Sequence, residues 1–321
     1  MTAPVRHAIA RRAALVAFMA ACAFLAGERG YGAEPAHFHH VRLNVTDVDR
    51  SIEFYTRVFG ATRVRFNGLA DALFTERSFI LFNQVASPAP SSLTSSVWHI
   101  GWGGVDVKNE FAWWRDHDVD IHTPLSPLPG KDNYYFYMHG PDRELIEINT
   151  MGHHRFAHVH LFASDVNATC DWFATHLGLS PRRASHVPKP AGDMSSFASI
   201  WINTIQCDNV SIIVFGKPDI VPPPPWWRDP PLKNIEPTQG RVIDHIAFSY
   251  DDIDPVHARM AAAGARSVSP IETEAALGLR GFTVLAPDGL LVRIVEAAAI
   301  PEGLWQVEAP RDEPRGASTG K

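Results

Sequence analysis

His40-Val41-Arg42-Leu43-Asn44-Val45-Thr46-Asp47 is an alternating run that ends on an aspartate, and the helical stretch Ser51-Ile52-Glu53-Phe54-Tyr55 follows it. Alternation with period two marks a strand, and an aspartate at a helix start accepts hydrogen bonds from the first free N–H groups. The same seven-residue offset from histidine to aspartate recurs at His99–Asp106, His158–Asp165 and His245–Asp252. The first three histidines lie 59 residues apart, and the last interval of 87 residues carries Pro222–Pro225 with Trp226 and Trp227. Gly60, Gly178 and Gly264 stop three of the helices, as C-terminal caps do. Alternating segments such as Phe79–Asn83, Tyr134–Met138, Ser199–Ile202 and Phe282–Leu285 come next. The chain is therefore predicted to be α+β, built from four βαβββ units.

Units two and four also end alike. Gly140-Pro141-Asp142 precedes Glu144–Ile148, and Ala286-Pro287-Asp288-Gly289 precedes Leu290–Ile294. The opening histidine stands 48 residues before Glu147 in one unit and 48 before Arg293 in the other. Agreement at two independent offsets makes the repeat the firmest feature of the sequence.

The 321 residues carry 45% hydrophobic and 20% charged side chains, a globular composition that rules out wholesale disorder. A net charge of −6, with no basic run longer than two, argues against nucleic acid as a partner. Residues 1–33 read as a secretory signal peptide: Arg6, Arg11 and Arg12 precede the apolar run Ala13–Gly27, and small residues lead to Ala33. Arg11-Arg12 also permits a twin-arginine route, and Cys22 a lipoprotein reading. Removing this segment takes away four arginines and one glutamate and leaves −9. The expected product is exported, periplasmic or secreted, with no membrane span. Cys170 and Cys207 can pair only if their Cα atoms lie within roughly 7 Å. Residues 298–321 read as a frayed tail of Pro, Gly and charge.

The strand His40–Asp47 with its helix Ser51–Tyr55, and the run from Gly140-Pro141-Asp142 to Ile146-Glu147-Ile148, resemble the vicinal oxygen chelate superfamily. That superfamily includes glyoxalase I, bleomycin- and fosfomycin-resistance proteins, methylmalonyl-CoA epimerase and extradiol dioxygenases. The resemblance covers about residues 38–297. It implies two paired half-barrel domains, 38–150 holding a divalent metal and 156–297 holding a degenerate site. It also implies first-strand ligands His40 and His99 and a last-strand carboxylate, Glu147. Inward positions of neighbouring strands can converge across a concave sheet, and two imidazoles with one carboxylate leave places open for substrate and water. Fe(II) is the favoured ion, with Mn(II), Ni(II) and Zn(II) as alternatives. The same histidines could instead be strand residues hydrogen-bonded to their neighbours.

The first unit has no clear last-strand carboxylate, since Phe79–Gln84 offers only the amides of Asn83 and Gln84. Tyr137, ten residues before Glu147, matches the offset of a dioxygenase tyrosine that bonds bound catecholate; a core aromatic is the other reading. The histidine acid/base of those enzymes is missing between His40 and His99, and His122 and His139 are the candidate substitutes. In the second pair, Arg293 stands in place of a carboxylate and would repel a cation, so that half is a structural duplicate or binds an anionic group. His160 reads as packing or surface.

Three functions follow. The first is an extradiol-type dioxygenase acting on a small catechol-like substrate. The second is a glyoxalase-like lyase, isomerase or epimerase using a metal-stabilised enediolate. The third is a non-catalytic small-molecule binding protein. With all units in one chain, either a monomer or a homodimer is complete.

Overall fold

The computed structural model describes residues 34–90, 95–128, 130–182, 185–187, 200–216 and 235–300. The expected signal segment 1–33, the Pro222–Pro231 stretch and the residues from 301 lie outside the described residues. The first unit comprises β1 (His37–Val45), α1 (Val48–Phe59), β2 (Thr62–Phe66), β3 (Ala70–Phe74) and β4 (Phe79–Gln84). The second comprises β5 (Val97–Gly104), α2 (Val107–Asp116), β6 (Asp120–Ile121), β7 (Ser126–Pro127), β8 (Tyr134–His139) and β9 (Leu145–Thr150). The third has β10 (Phe156–Ala163), α3 (Val166–Leu177), β11 (Ser185–Val187), β12 (Ile200–Cys207) and β13 (Val210–Gly216). The fourth has β14 (Ile243–Tyr250), α4 (Asp254–Ala262), β15 (Arg266–Ser267), β16 (Glu272–Glu274), β17 (Leu279–Leu285) and β18 (Leu291–Glu296).

Three of the helices start as the sequence implies. Asp47, Asp106 and Asp165 accept from the backbone N–H of Arg50, Asn109 and Ala168, each three residues on. Gly60 and Gly178 close their helices at φ +70° and +67°. The fourth differs: Pro255 favours a start at Asp254, so Asp252 accepts only from the Asp254 N–H.

The sheets join units across the expected domains 38–150 and 156–297. β1 pairs antiparallel with β14, and β5 with β10. One sheet therefore joins units one and four, and the other joins units two and three. The reason lies in the connections. Only five residues separate β9 from β10. Gly104 O accepts from the N–H groups of Met151 (2.9 Å) and Gly152 (3.0 Å), and Gly103 N–H donates to Arg155 O (2.9 Å). That tight link lays the third unit's first strand directly against the second's.

One apolar core lies between the helices and the outward faces of both sheets. Phe59 of α1 stacks on Trp102 of β5 at 4.4 Å, and Phe173 of α3 meets Phe248 of β14 edge-on at 6.1 Å. α1 and α3 thus each also reach a strand of the sheet that their own unit does not join. Two satellite clusters line the concave faces: Trp98, Tyr135, Tyr137, Leu145 and Phe162 in one sheet, and Phe66, Ala72, Leu81, Leu277, Leu279 and Val295 in the other.

The repeated Pro-Asp turns tie the sheets together. Asp142 of unit two accepts from Thr46 Oγ1 (2.6 Å), the Thr46 N–H (3.1 Å) and Arg50 Nη2 (2.9 Å) at the end of β1. Asp288 of unit four accepts in the same way from Ser164 Oγ (2.6 Å) and its N–H (2.9 Å) at the end of β10. Cys170 and Cys207 are both buried and free.

Candidate metal centre

His99, Glu147, His158 and His160 bring one ligand atom each within 4.8 Å of one another, all four buried. Backbone register places them. His160 lies opposite His99, and His158 opposite Gly101. Gly101 also faces Glu147 on the parallel neighbour β9, and Tyr137 faces Glu147 from β8. The row Tyr137–Glu147–Gly101–His158 therefore runs straight across four strands, with His99 and His160 one step along it.

Gly101 is needed by the ring it faces. A Cβ there would lie 2.0 Å from His158 Cε1 and 2.1 Å from its Nε2. Trp98 and Ala157 are left out of the pairing at two register shifts, which bend the sheet at this point.

His99 Nε2 stands 2.9 Å from Glu147 Oε2, 3.0 Å from His160 Nδ1 and 3.4 Å from His158 Nε2. Burial depresses the His99 pKa to about 4, against partial compensation from Glu147, and pushes His160 well below its usual value. Burial works to raise the Glu147 pKa, but hydrogen bonds with His158 and His99 prevail and hold it well below the carboxylate range. The cluster thus sets an anionic oxygen beside the neutral imidazoles of His99 and His160. Among the described residues, His99 Nδ1 and His160 Nε2 have no hydrogen-bond partner. Several nitrogens crowded on one carboxylate, with few protons to share, suit a divalent cation better than they suit one another. Tyr137 faces Glu147 across the strand pair, and burial followed by that charge pushes the phenol well above its ordinary pKa.

The structure places His40, one of the expected ligands, apart from His99 and Glu147. His40 lies in the other sheet, its ring 5.5 Å from that of His245 and its Nδ1 2.7 Å from His39 Nδ1. The structure brings His99 and Glu147 together, and the first-strand partner is His158 because β10, not β1, is the neighbour of β5. His158 belongs to the half, 156–297, for which a degenerate site is expected. His160 carried a readable signal: its i, i+2 spacing from His158 puts it on the same strand face. Asn83 is no ligand here, since its amide donates to Asn44 Oδ1 at 2.9 Å. His122 and His139 lie outside the four, with His139 Nδ1 3.1 Å from Asp120.

The counterpart row in the other sheet is Thr283–Arg293–Ala247–His40, with His245 opposite Arg42. Every position of the metal row has an equivalent there, and Glu147 is replaced by Arg293.

The Glyoxalase/Bleomycin resistance protein/Dioxygenase superfamily model matches residues 37–148 and again 155–294. Glyoxalase I from Zea mays superposes with a TM-score of 0.60 at 14% identity, over 81% of this chain and 92% of the maize one. A putative dioxygenase from Bacillus subtilis superposes at 0.51 with 14% identity, over 83% and 87%. No curated protein matches the chain in sequence.

Proposed function

The chain belongs to the Glyoxalase/Bleomycin resistance protein/Dioxygenase superfamily, and within it we propose a divalent-metal-dependent extradiol-type dioxygenase acting on a small catechol-like substrate. The observation that carries this reading is the buried set of His99, His158 and Glu147 with His160 and Tyr137 beside it. Two imidazoles and one carboxylate are the donor set that suits Fe(II), and Mn(II), Ni(II) or Zn(II) fit the same atoms. Such a metal would supply Lewis acidity and, as Fe(II), a redox centre.

The chain's own residues supply the rest. His160, neutral and with a free ring nitrogen, takes the first proton from a substrate hydroxyl. Tyr137, held protonated, donates to the resulting oxyanion. Trp98, Phe162 and Tyr135 form an aromatic wall that suits a planar ring and keeps water out. All four donors come from one chain, so a monomer is sufficient. Export through residues 1–33 belongs to the same proposal and rests on the basic and apolar segments there. Among the described residues no helix is long and apolar enough to cross a membrane.

A glyoxalase-like lyase or isomerase is the second reading, favoured by His160 Nδ1 lying close enough to act as a fourth ligand. His160→Ala separates the two. For the dioxygenase, the variant keeps its metal while oxygen uptake with catechols falls by about 100-fold or more. Loss of metal from His160→Ala, with no oxygen uptake by the metal-loaded wild type, moves the lyase reading to the front.

A further inference from the structure

The half-barrel of units one and four has no use for a cation, yet its concave face keeps an organised set of buried polar groups. Arg293 is 7% exposed and His40 fully buried. Among the described residues, Arg293 Nε and Nη2, His40 Nε2 and His245 Nε2 all lack a hydrogen-bond partner. The one bond Arg293 makes is long, from Nη1 to Thr283 Oγ1 at 3.4 Å, and Glu274 Oε2 stays 3.7 Å from its Nη2. Glu274 is instead bonded to Arg42 Nη2 at 2.9 Å. Two guanidinium groups thus share one carboxylate. Asp244 is already occupied by His245 Nδ1, the Asn44 amide and the Gly240 N–H. A buried guanidinium edge left unpaired destabilises the fold, so the donors await a partner.

A cavity of about 450 Å³ lies in the same half-barrel, lined by His39, Phe66, Phe74, Phe79 and Leu279 among others. His39 is bonded to His40, and Phe79 is the register neighbour of His40. The acid at its rim, Glu296, is ion-paired with Arg280. Apolar walls of this size, next to unpaired cationic donors, describe an amphipathic anion.

We propose that this half-barrel is a second ligand site, which holds the carboxylate of an apolar monocarboxylic acid at Arg293 and His40 and its hydrocarbon body in the cavity beside Phe66, Phe79 and Leu279. Arg293 offers its Nε and Nη2 hydrogens in the fork that matches a carboxylate. His40, whose Nδ1 faces His39, offers Nε2–H. The site is separate from the metal centre and does not depend on it.

Calorimetric titration of the chelator-treated full chain with sodium octanoate, 1-octanol and inorganic phosphate tests this. Octanoate should bind one to one without metal, and octanol at least ten-fold more weakly. Arg293→Met should weaken octanoate by ten-fold or more, and Leu279→Trp, which fills the cavity, should do the same. Equal binding of octanol, phosphate binding in place of octanoate, or no octanoate binding overturns the proposal, as does unchanged affinity in Arg293→Met. If that variant does not fold, the comparison of octanoate with octanol in the wild type still decides. Because the chain is stripped of metal, failure here leaves the dioxygenase reading untouched, and the reverse holds too.

Discussion

His160 faces His99 across the antiparallel pair β5 and β10, its Nδ1 3.0 Å from His99 Nε2, so the third unit's first strand completes a site whose carboxylate belongs to the second unit. This contact follows from strand pairing alone, and it sets which residues a metal would see.

Metal content distinguishes the observed pairing from pairing within 38–150. Glu147→Ala and His158→Ala should each lower metal affinity by more than about 100-fold, since losing even a supporting residue costs 10–100-fold. His40→Ala should retain the metal. Elemental analysis of anaerobically purified protein reads all three, and loss of metal in His40→Ala would sink the assignment.

Gly101→Ala should abolish metal binding without touching any ligand. The added Cβ would sit 2.0 Å from the His158 ring and force it away. Overpacking of this kind costs about 1–3 kcal/mol, visible as a lower denaturant midpoint. The equivalent position in the other sheet is already alanine, Ala247. An alanine variant that still binds metal with wild-type affinity would contradict the geometry.

The buried carboxyl of Glu144 gives a pH signature. Burial raises its pKa to about 7, against the hydrogen bond from Tyr55 at 2.8 Å. A carboxyl that keeps its proton longer when folded favours the native state below its unfolded pKa of about 4.5. That contribution fades as pH rises towards 7. Glu144→Gln should therefore gain on the wild type between pH 5 and 8, by up to about 3 kcal/mol. Equilibrium unfolding at several pH values checks this; a difference that does not move with pH refutes it.

The histidines act in the opposite sense. Burial depresses His39 and His99 to about 4, so the native state resists protonation that the unfolded chain accepts near 6.5. Their contribution is whole above pH 6.5 and lost as pH falls towards 4. Metal-free protein should lose stability over that interval, and a smaller acid loss in His39→Phe, by melting temperature, would assign it to that ring.

The two Asp clamps should differ in strength. The Asp142 side chain is 4% exposed and accepts three bonds from Thr46 and Arg50. Asp288 accepts two, at a more open position. Asp142→Ala should cost about 3 kcal/mol and Asp288→Ala about 1–2 kcal/mol, since hydrogen bonds to a charged group are worth roughly 1.5–3 kcal/mol. Chemical denaturation of both variants measures the order, and a larger loss at Asp288 would reverse it.

Much of this was legible beforehand because it is local. A strand shows itself by period two and an aspartate cap by its place before a helix; both are set within a dozen residues. That is why the four units, the caps at Asp47, Asp106 and Asp165, and the nearness of Glu147 to His99 within one unit could be read from spacing. His99 and Glu147 sit on adjacent strands of the same unit, and their register follows from the unit's own turns.

By itself, the sequence determined four βαβββ units, one carboxylate in the second and an arginine at the matching place in the fourth. Only the tertiary structure decided which first strand lies against which. β1 and β10 present the same alternation and the same histidine, so either could pair with β5 at equal local cost. The choice was made by the five-residue link before β10, anchored at Gly103 and Gly104, and by aromatic packing such as Phe59 on Trp102 across the sheets. Pairing between distant segments is a property of the whole core, and so His158 and His160 joined the centre while His40 was left beside Arg293.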